Sequence, residues 1–264
     1  MVHPRTPRSV ISPLLVPTSF LAVTLLCGAS DAQFSEGNSP SRVPDSSASP
    51  GQSVHYFYEP FPMEPGSSVL QIGGSFSLLP YPDAEQELPI PAVDLQYKRG
   101  IGDNFAVVGS LSTCIFSNLV HAGIQWNSHL DRFSFGVACH LGAAYGFIKR
   151  TDEFDNVQGY GLIDMFILRL GYRFEDFSFS GSFVATYMMR SRSYVNGLEA
   201  SIGPQHTIND LYATLVVEQP FLGNLHLSIG FSLGYARTPY QTWMLYNTID
   251  DWLFTPEFFF AVQL

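Results

Sequence analysis

The chain has 264 residues, of which 46% are hydrophobic and only 14% charged, and its formal net charge is −10. A soluble domain carries about 25% charged residues, so this composition is too poor in ions to coat a water-exposed surface and points to something apolar outside. The acidic balance argues against nucleic acid as a partner, because phosphate binding relies on Lys and Arg and Lys occurs only at Lys98 and Lys149.

Residues 1–32 read as a cleaved signal peptide. Arg5 and Arg8 give a positive start, Leu14 to Leu26 form a mostly apolar run broken by Pro17, and Ser30-Asp31-Ala32 offers small residues for cleavage between Ala32 and Gln33. A membrane anchor needs about 20 apolar residues, and this run is shorter. Cys27 suggests a lipoprotein signal, but such a signal wants a small residue before the Cys and Leu26 stands there. Cleavage removes two Arg and one Asp, so 11 basic and 22 acidic residues remain and the formal charge becomes −11. It also removes Cys27, and Cys114 and Cys139 alone cannot build a disulfide-rich scaffold or an all-cysteine zinc site.

Residues 33–66 are rich in Ser, Pro, Gly and Asp, a composition that buries little apolar surface and reads as a flexible leader. Within it, Tyr56-Phe57-Tyr58 is a short aromatic patch able to dock locally.

From residue 67 to 264 the pattern is alternation of period two, the mark of strands with two different faces. In 177–187, Phe177, Phe179, Phe183 and Tyr187 oppose Ser178, Ser180, Ser182 and Thr186; segments 133–147 and 225–235 repeat the logic. The polar face is Ser, Gly, Ala and a few His, too small and uncharged for an aqueous exterior but suited to the lumen of a narrow barrel. The large apolar residues then face lipid. Asp164 is the exception, in phase with Tyr160, Leu162 and Phe166, which marks either the membrane edge or a slip of phase.

Ten strands are expected, near 68–79, 91–99, 104–114, 118–127, 133–147, 159–174, 177–189, 210–221, 225–237 and 252–264. Connections after even-numbered strands are short, and those at 80–90, 148–158, 190–209 and 238–251 are longer; only the third, near Ile115 to Asn118, departs from this. Short turns on the side of both termini and longer loops opposite are expected of a barrel with its termini in the periplasm. Lipid admits only helices and closed sheets, and no apolar run after the first 32 residues is long enough for a helix. The fold expected is therefore all-β, a closed antiparallel up-and-down transmembrane β-barrel.

Two segments carry a resemblance. Tyr97-Lys98-Arg99-Gly100-Ile101-Gly102-Asp103-Asn104-Phe105 resembles the periplasmic hairpins of small bacterial outer-membrane β-barrel proteins, and Tyr172 to Phe177 repeats it loosely. The end Phe254 to Leu264 resembles the C-terminal strand that such proteins present to the barrel-assembly machinery, although Leu264 replaces the usual terminal aromatic and Pro256 is unusual in a strand. The resemblance covers about residues 67–264 and implies an architecture in the outer membrane of a Gram-negative cell, with no specific family.

Parity places Asp94 and Lys98, His121 and Gln125, His140, Arg169 and Arg173, Glu218, and His226 in the lumen. Buried charges must pair or stay hydrated, so the preferred reading is a plug of side chains, for instance Arg169 or Arg173 with Glu218. A narrow path for a small solute, or a ligand carrier, is the alternative. His121, His140 and His226 lie on three strands with no spacing that favours a metal. Ser134 and His140 share a face too far apart to form a catalytic pair, and no cofactor is expected. An enzyme acting on lipid or peptide and a soluble lipocalin-like barrel with reversed faces are the remaining rivals. Gly100-Ile101-Gly102 is turn punctuation. Tyr235, Tyr240, Trp243, Tyr246 and Trp252 read as an interfacial aromatic belt, and Asp83, Glu85 and Glu87 as a solvated loop. Expected partners are outer-membrane lipids and the assembly machinery.

Overall fold

In the computed structural model the described residues are 55–78, 89–114, 117–149, 156–201, 205–237 and 251–264. The chain divides into a unit of Met1–Gln52, outside the described residues, and a unit of Ser53–Leu264. The signal-peptide reading, the loop acids Asp83, Glu85 and Glu87, and the aromatics Tyr240, Trp243 and Tyr246 therefore lie outside the described residues.

Among the described residues eleven strands form one antiparallel sheet: β1 Ser68–Leu78, β2 Pro89–Gly100, β3 Phe105–Thr113, β4 Ser117–Leu130, β5 Phe133–Ile148, β6 Val157–Arg173, β7 Ser178–Val195, β8 Leu198–Ser201, β9 Thr207–Pro220, β10 His226–Ala236 and β11 Leu253–Gln263. Each long strand pairs with its sequence neighbour, β1 pairs with β11, and β6 pairs with both β5 and β7, so ten long strands close into an up-and-down barrel. Closure removes the unpaired edges that an open sheet presents. The four-residue β8 is an appendage, hydrogen-bonded to the outer end of β7. Among the described residues no helix is long and apolar enough to cross a membrane.

Alternation decides what each wall presents. Leu70 and Ile72 on β1, Leu95 on β2, Ile124 on β4, Leu141 on β5, Phe166 and Leu168 on β6, Phe183 on β7, Leu215 on β9, Phe231 on β10 and Phe258 on β11 are all exposed, while Gln71, Lys98, Gln125, His140, Ser180, Glu218 and Ser228 are buried. Such an apolar exterior around a polar interior belongs to a barrel whose solvent outside is lipid. Asp164 keeps the phase of its strand and faces outward, half-buried, with its Oδ1 3.4 Å from Cys139 Sγ.

The turns nearest the termini are tight. Ile101 and Phe105, Phe174 and Phe177, and Phe221 and Leu225 are joined by backbone hydrogen bonds of 2.9, 2.8 and 2.8 Å. Leu130 and Phe133 are paired across Asp131-Arg132. The expected loop at 190–209 is corrected: β7 continues to Val195 and turns through Asn196 and Gly197, with φ of 52° and 80°, into β8. Pro256 finds its place because β1 pairs with β11 only as far as Glu257, so the missing N–H falls just past that ladder's end.

Candidate functional site: a chain segment inside the lumen

The stretch from His55 to Met63, read from composition as the end of a flexible leader, packs inside the barrel at the end where β1 begins and β11 ends. Phe57, Glu59 and Met63 are buried there, and Phe57 and Met63 form an apolar cluster with Val69 of β1 and Val108 of β3. The aromatic patch supplies the apolar surface that the rest of the leader lacks.

Two wall residues hold the backbone of this segment. Glu218 sits on β9 between Ser178 of β7 and Ser228 of β10. Its Oε1 accepts from Phe57 N at 2.9 Å, its Oε2 accepts from Tyr58 N at 2.9 Å and Glu59 N at 3.0 Å, and Ser228 Oγ donates to Oε1 at 3.1 Å. Four donors on one carboxyl group leave few of its lone pairs unpaired, as burial of a polar group demands. Lys98 rises between Val69 and Val108, and its Nζ donates to the carbonyls of Phe57 and Glu59 at 3.2 Å each. Together these two side chains satisfy donors and acceptors of a segment that has no sheet partner, as burial of backbone demands.

The segment brings its own acid. Arg173 Nε on β6 donates to both carboxylate oxygens of Glu59, at 3.0 and 3.2 Å. The guanidinium also lies 4.3 Å from the ring centre of Phe61 and 5.5 Å from that of Tyr56. The expected pairing of Arg169 or Arg173 with Glu218 is therefore corrected: Arg173 pairs with Glu59, which composition had placed in a leader. Arg169 lies 6.0 Å from the Tyr58 ring centre, and among the described residues its Nη1 has no hydrogen-bond partner.

Glycines make room for the segment. A Cβ on Gly136 would come within 2.8 Å of Pro60 Cβ, and one on Gly171 within 2.9 Å of Pro60 Cδ. Any side chain at either position would push Pro60 away from β5 and β6. Gln263 Nε2 donates to His55 O at 2.6 Å, Gln96 Nε2 to Tyr58 Oη at 3.1 Å, and the Tyr56 ring packs edge-on against His226 at 5.5 Å.

The remaining candidates lie apart from this contact. His121 and His140 come together on a diagonal of the β4–β5 pair, stacked at 5.2 Å with their Nδ1 atoms 3.2 Å apart. Among the described residues no group of three or more His, Cys, Asp or Glu is placed to hold a metal. Asp94 is hydrogen-bonded to Ser75 and Ser112. Beyond the segment, toward the opposite rim, the lumen holds a cavity of about 280 Å³, lined by hydroxyls such as Ser75, Ser112, Thr214 and Thr255, by Asp210 and Glu257, and by Tyr212. Among the described residues no Lys or Arg contributes to that lining.

Three findings come from comparison with known proteins. No family model matches the chain, and no curated protein matches it. Among solved structures it is similar to the translocator domain of autotransporter NalP from Neisseria meningitidis, at 11% identity and a TM-score of 0.39 over 76% of this chain and 88% of that one. It is also similar to the NanC porin, at 10% identity and 0.38 over 73% and 98%, and to the KdgM porin, at 10% and 0.34 over 75% and 98%. Likeness at this level leaves function to be argued from the residues of the chain itself.

Proposed function

We propose that the mature chain is an integral β-barrel of a Gram-negative outer membrane, exported by a cleaved signal peptide, with a structural or passive-transport role and no chemistry of its own. The observation that carries this reading is the two-faced wall: large apolar side chains exposed on all ten long strands around an interior of buried polar groups. A continuous apolar exterior of this extent would aggregate in water. Residues 55–66, held by Glu218, Lys98 and Arg173, act as a stopper at the periplasmic end, so the resting lumen is closed. Outer-membrane lipids and, through Phe254–Leu264, the assembly machinery are the partners this reading requires.

The test is extraction and mobility. The protein should stay with membranes washed at high pH, dissolve only in detergent, and run faster on gels unboiled than boiled. Release by alkaline washing, or identical mobility under both treatments, would remove the membrane reading. The cavity above the stopper favours one second reading, a carrier of a small neutral or cationic solute, since among the described residues its wall combines hydroxyls and carboxyls with apolar Leu119, Ile163 and Met165 and holds no Lys or Arg.

A further inference from the structure

The outer half of β7 contains one extra residue. Against β6 the register steps from Ile163↔Met188 to Leu162↔Arg190, leaving Met189 unopposed. Below this bulge the even-numbered side chains of β7 point inward, as the buried Ser178, Ser180 and Thr186 show; above it the odd-numbered Ser191 and Ser193 are buried. Bulges re-aim side chains. Here the shift puts Arg190 and Arg192 on the outside wall, where an unshifted strand would have turned both into the lumen.

The surroundings suit an anion. Arg192 lies opposite the outward Tyr160 of β6, and Tyr160 stacks on Tyr194 at 6.0 Å with the two hydroxyls 3.4 Å apart. Glu199 of β8 pairs with Arg192 Nη1 at 3.3 Å, while Arg190 makes no ion pair among the described residues. Asp164 lies lower on the same wall.

Height identifies the occupant. Eleven ladder steps of about 3.3 Å, tilted by about 40°, raise Arg190 roughly 28 Å above the start of β7, just past an apolar band about 25 Å tall. That is the level of the lipid headgroups on the side away from the termini, and tyrosines belong there too. We propose that the Arg190 and Arg192 pair binds the phosphate of an anionic lipid headgroup in that leaflet, with the acyl chains lying on the apolar wall at Leu141, Leu162 and Phe166. Guanidinium forks match phosphate oxygens two at a time. The proposal rests on the membrane reading above.

The test uses the mature chain in phosphatidylcholine vesicles containing fluorescent diphosphorylated lipid A, with dephosphorylated lipid A and inorganic phosphate as comparison probes. Arg190→Gln and Arg192→Gln should each weaken lipid A binding about fivefold. Arg132→Gln, in a turn at the opposite end, should leave it unchanged. Dephosphorylated lipid A should bind no better to the intact chain than lipid A does to the double variant, and inorganic phosphate should not compete. Undiminished binding by a double variant that still shows folded mobility would overturn the proposal, as would equal binding of the dephosphorylated lipid or full competition by inorganic phosphate. Failure of the intact chain to insert into vesicles would instead overturn the membrane reading, and the lipid site with it.

Discussion

Four donors converge on the carboxylate of Glu218, three of them backbone N–H groups of a segment with no sheet to join. Removing such an acceptor leaves buried donors unpaired, at a cost of about 1–3 kcal/mol each. Glu218→Ala is therefore expected to lower the temperature at which the fast-migrating folded band converts to the slow one, and Glu218→Gln to lower it less, since an amide oxygen still accepts; an unchanged temperature for both would mean the segment is held elsewhere. Gly171→Val offers an orthogonal check: its side chain would meet Pro60, so the segment should become cleavable by protease while the barrel itself stays resistant. Parity alone placed Lys98, Glu218 and Arg173 inward. Their partner Glu59 was not legible, because the composition of 33–66 resembles a leader and period-two logic says nothing about an irregular segment. The one local signal was Tyr56-Phe57-Tyr58, too apolar a cluster to leave in water.

At the scale of the strand, alternation located all ten long strands, because each has one wall facing lipid and one facing a crowded lumen. It failed where alternation itself breaks. Met189 shifts the phase of β7, so Arg190 and Arg192 read as loop residues when they are strand residues facing outward. Asn196-Gly197 was the available signal for the β7–β8 hairpin, since that pair favours the positive φ of a tight turn. The His121–His140 contact depends on the register set by Asp131-Arg132, which spacing along the sequence does not reveal. The depth of the wall can be checked directly. Phe183 lies about five residues above the start of β7, so Phe183→Arg puts a charge near mid-bilayer and should cost about 2–4 kcal/mol, whereas Phe254→Arg near the outer rim should cost about 0–1 kcal/mol. Equal costs in denaturant unfolding from lipid vesicles would mean that the exterior has no membrane-graded profile.

For the whole molecule, closure through β6 and β7 makes the exterior continuous, and on the proposed reading the segment at 55–66 closes the interior. The same barrel wall serves a pore and a plug equally well, which is why strand pattern alone left both readings standing. On the function proposed above, the contacts of Glu218, Lys98 and Arg173 with that segment favour the plug. The most direct measurement is conductance in planar bilayers, comparing the mature chain with one lacking residues 33–61. The intact chain should insert without conductance steps, and the shortened chain should give discrete steps. Equal conductance from both, or conductance in neither when both are shown to be inserted, would contradict a lumen closed by its own N-terminal segment.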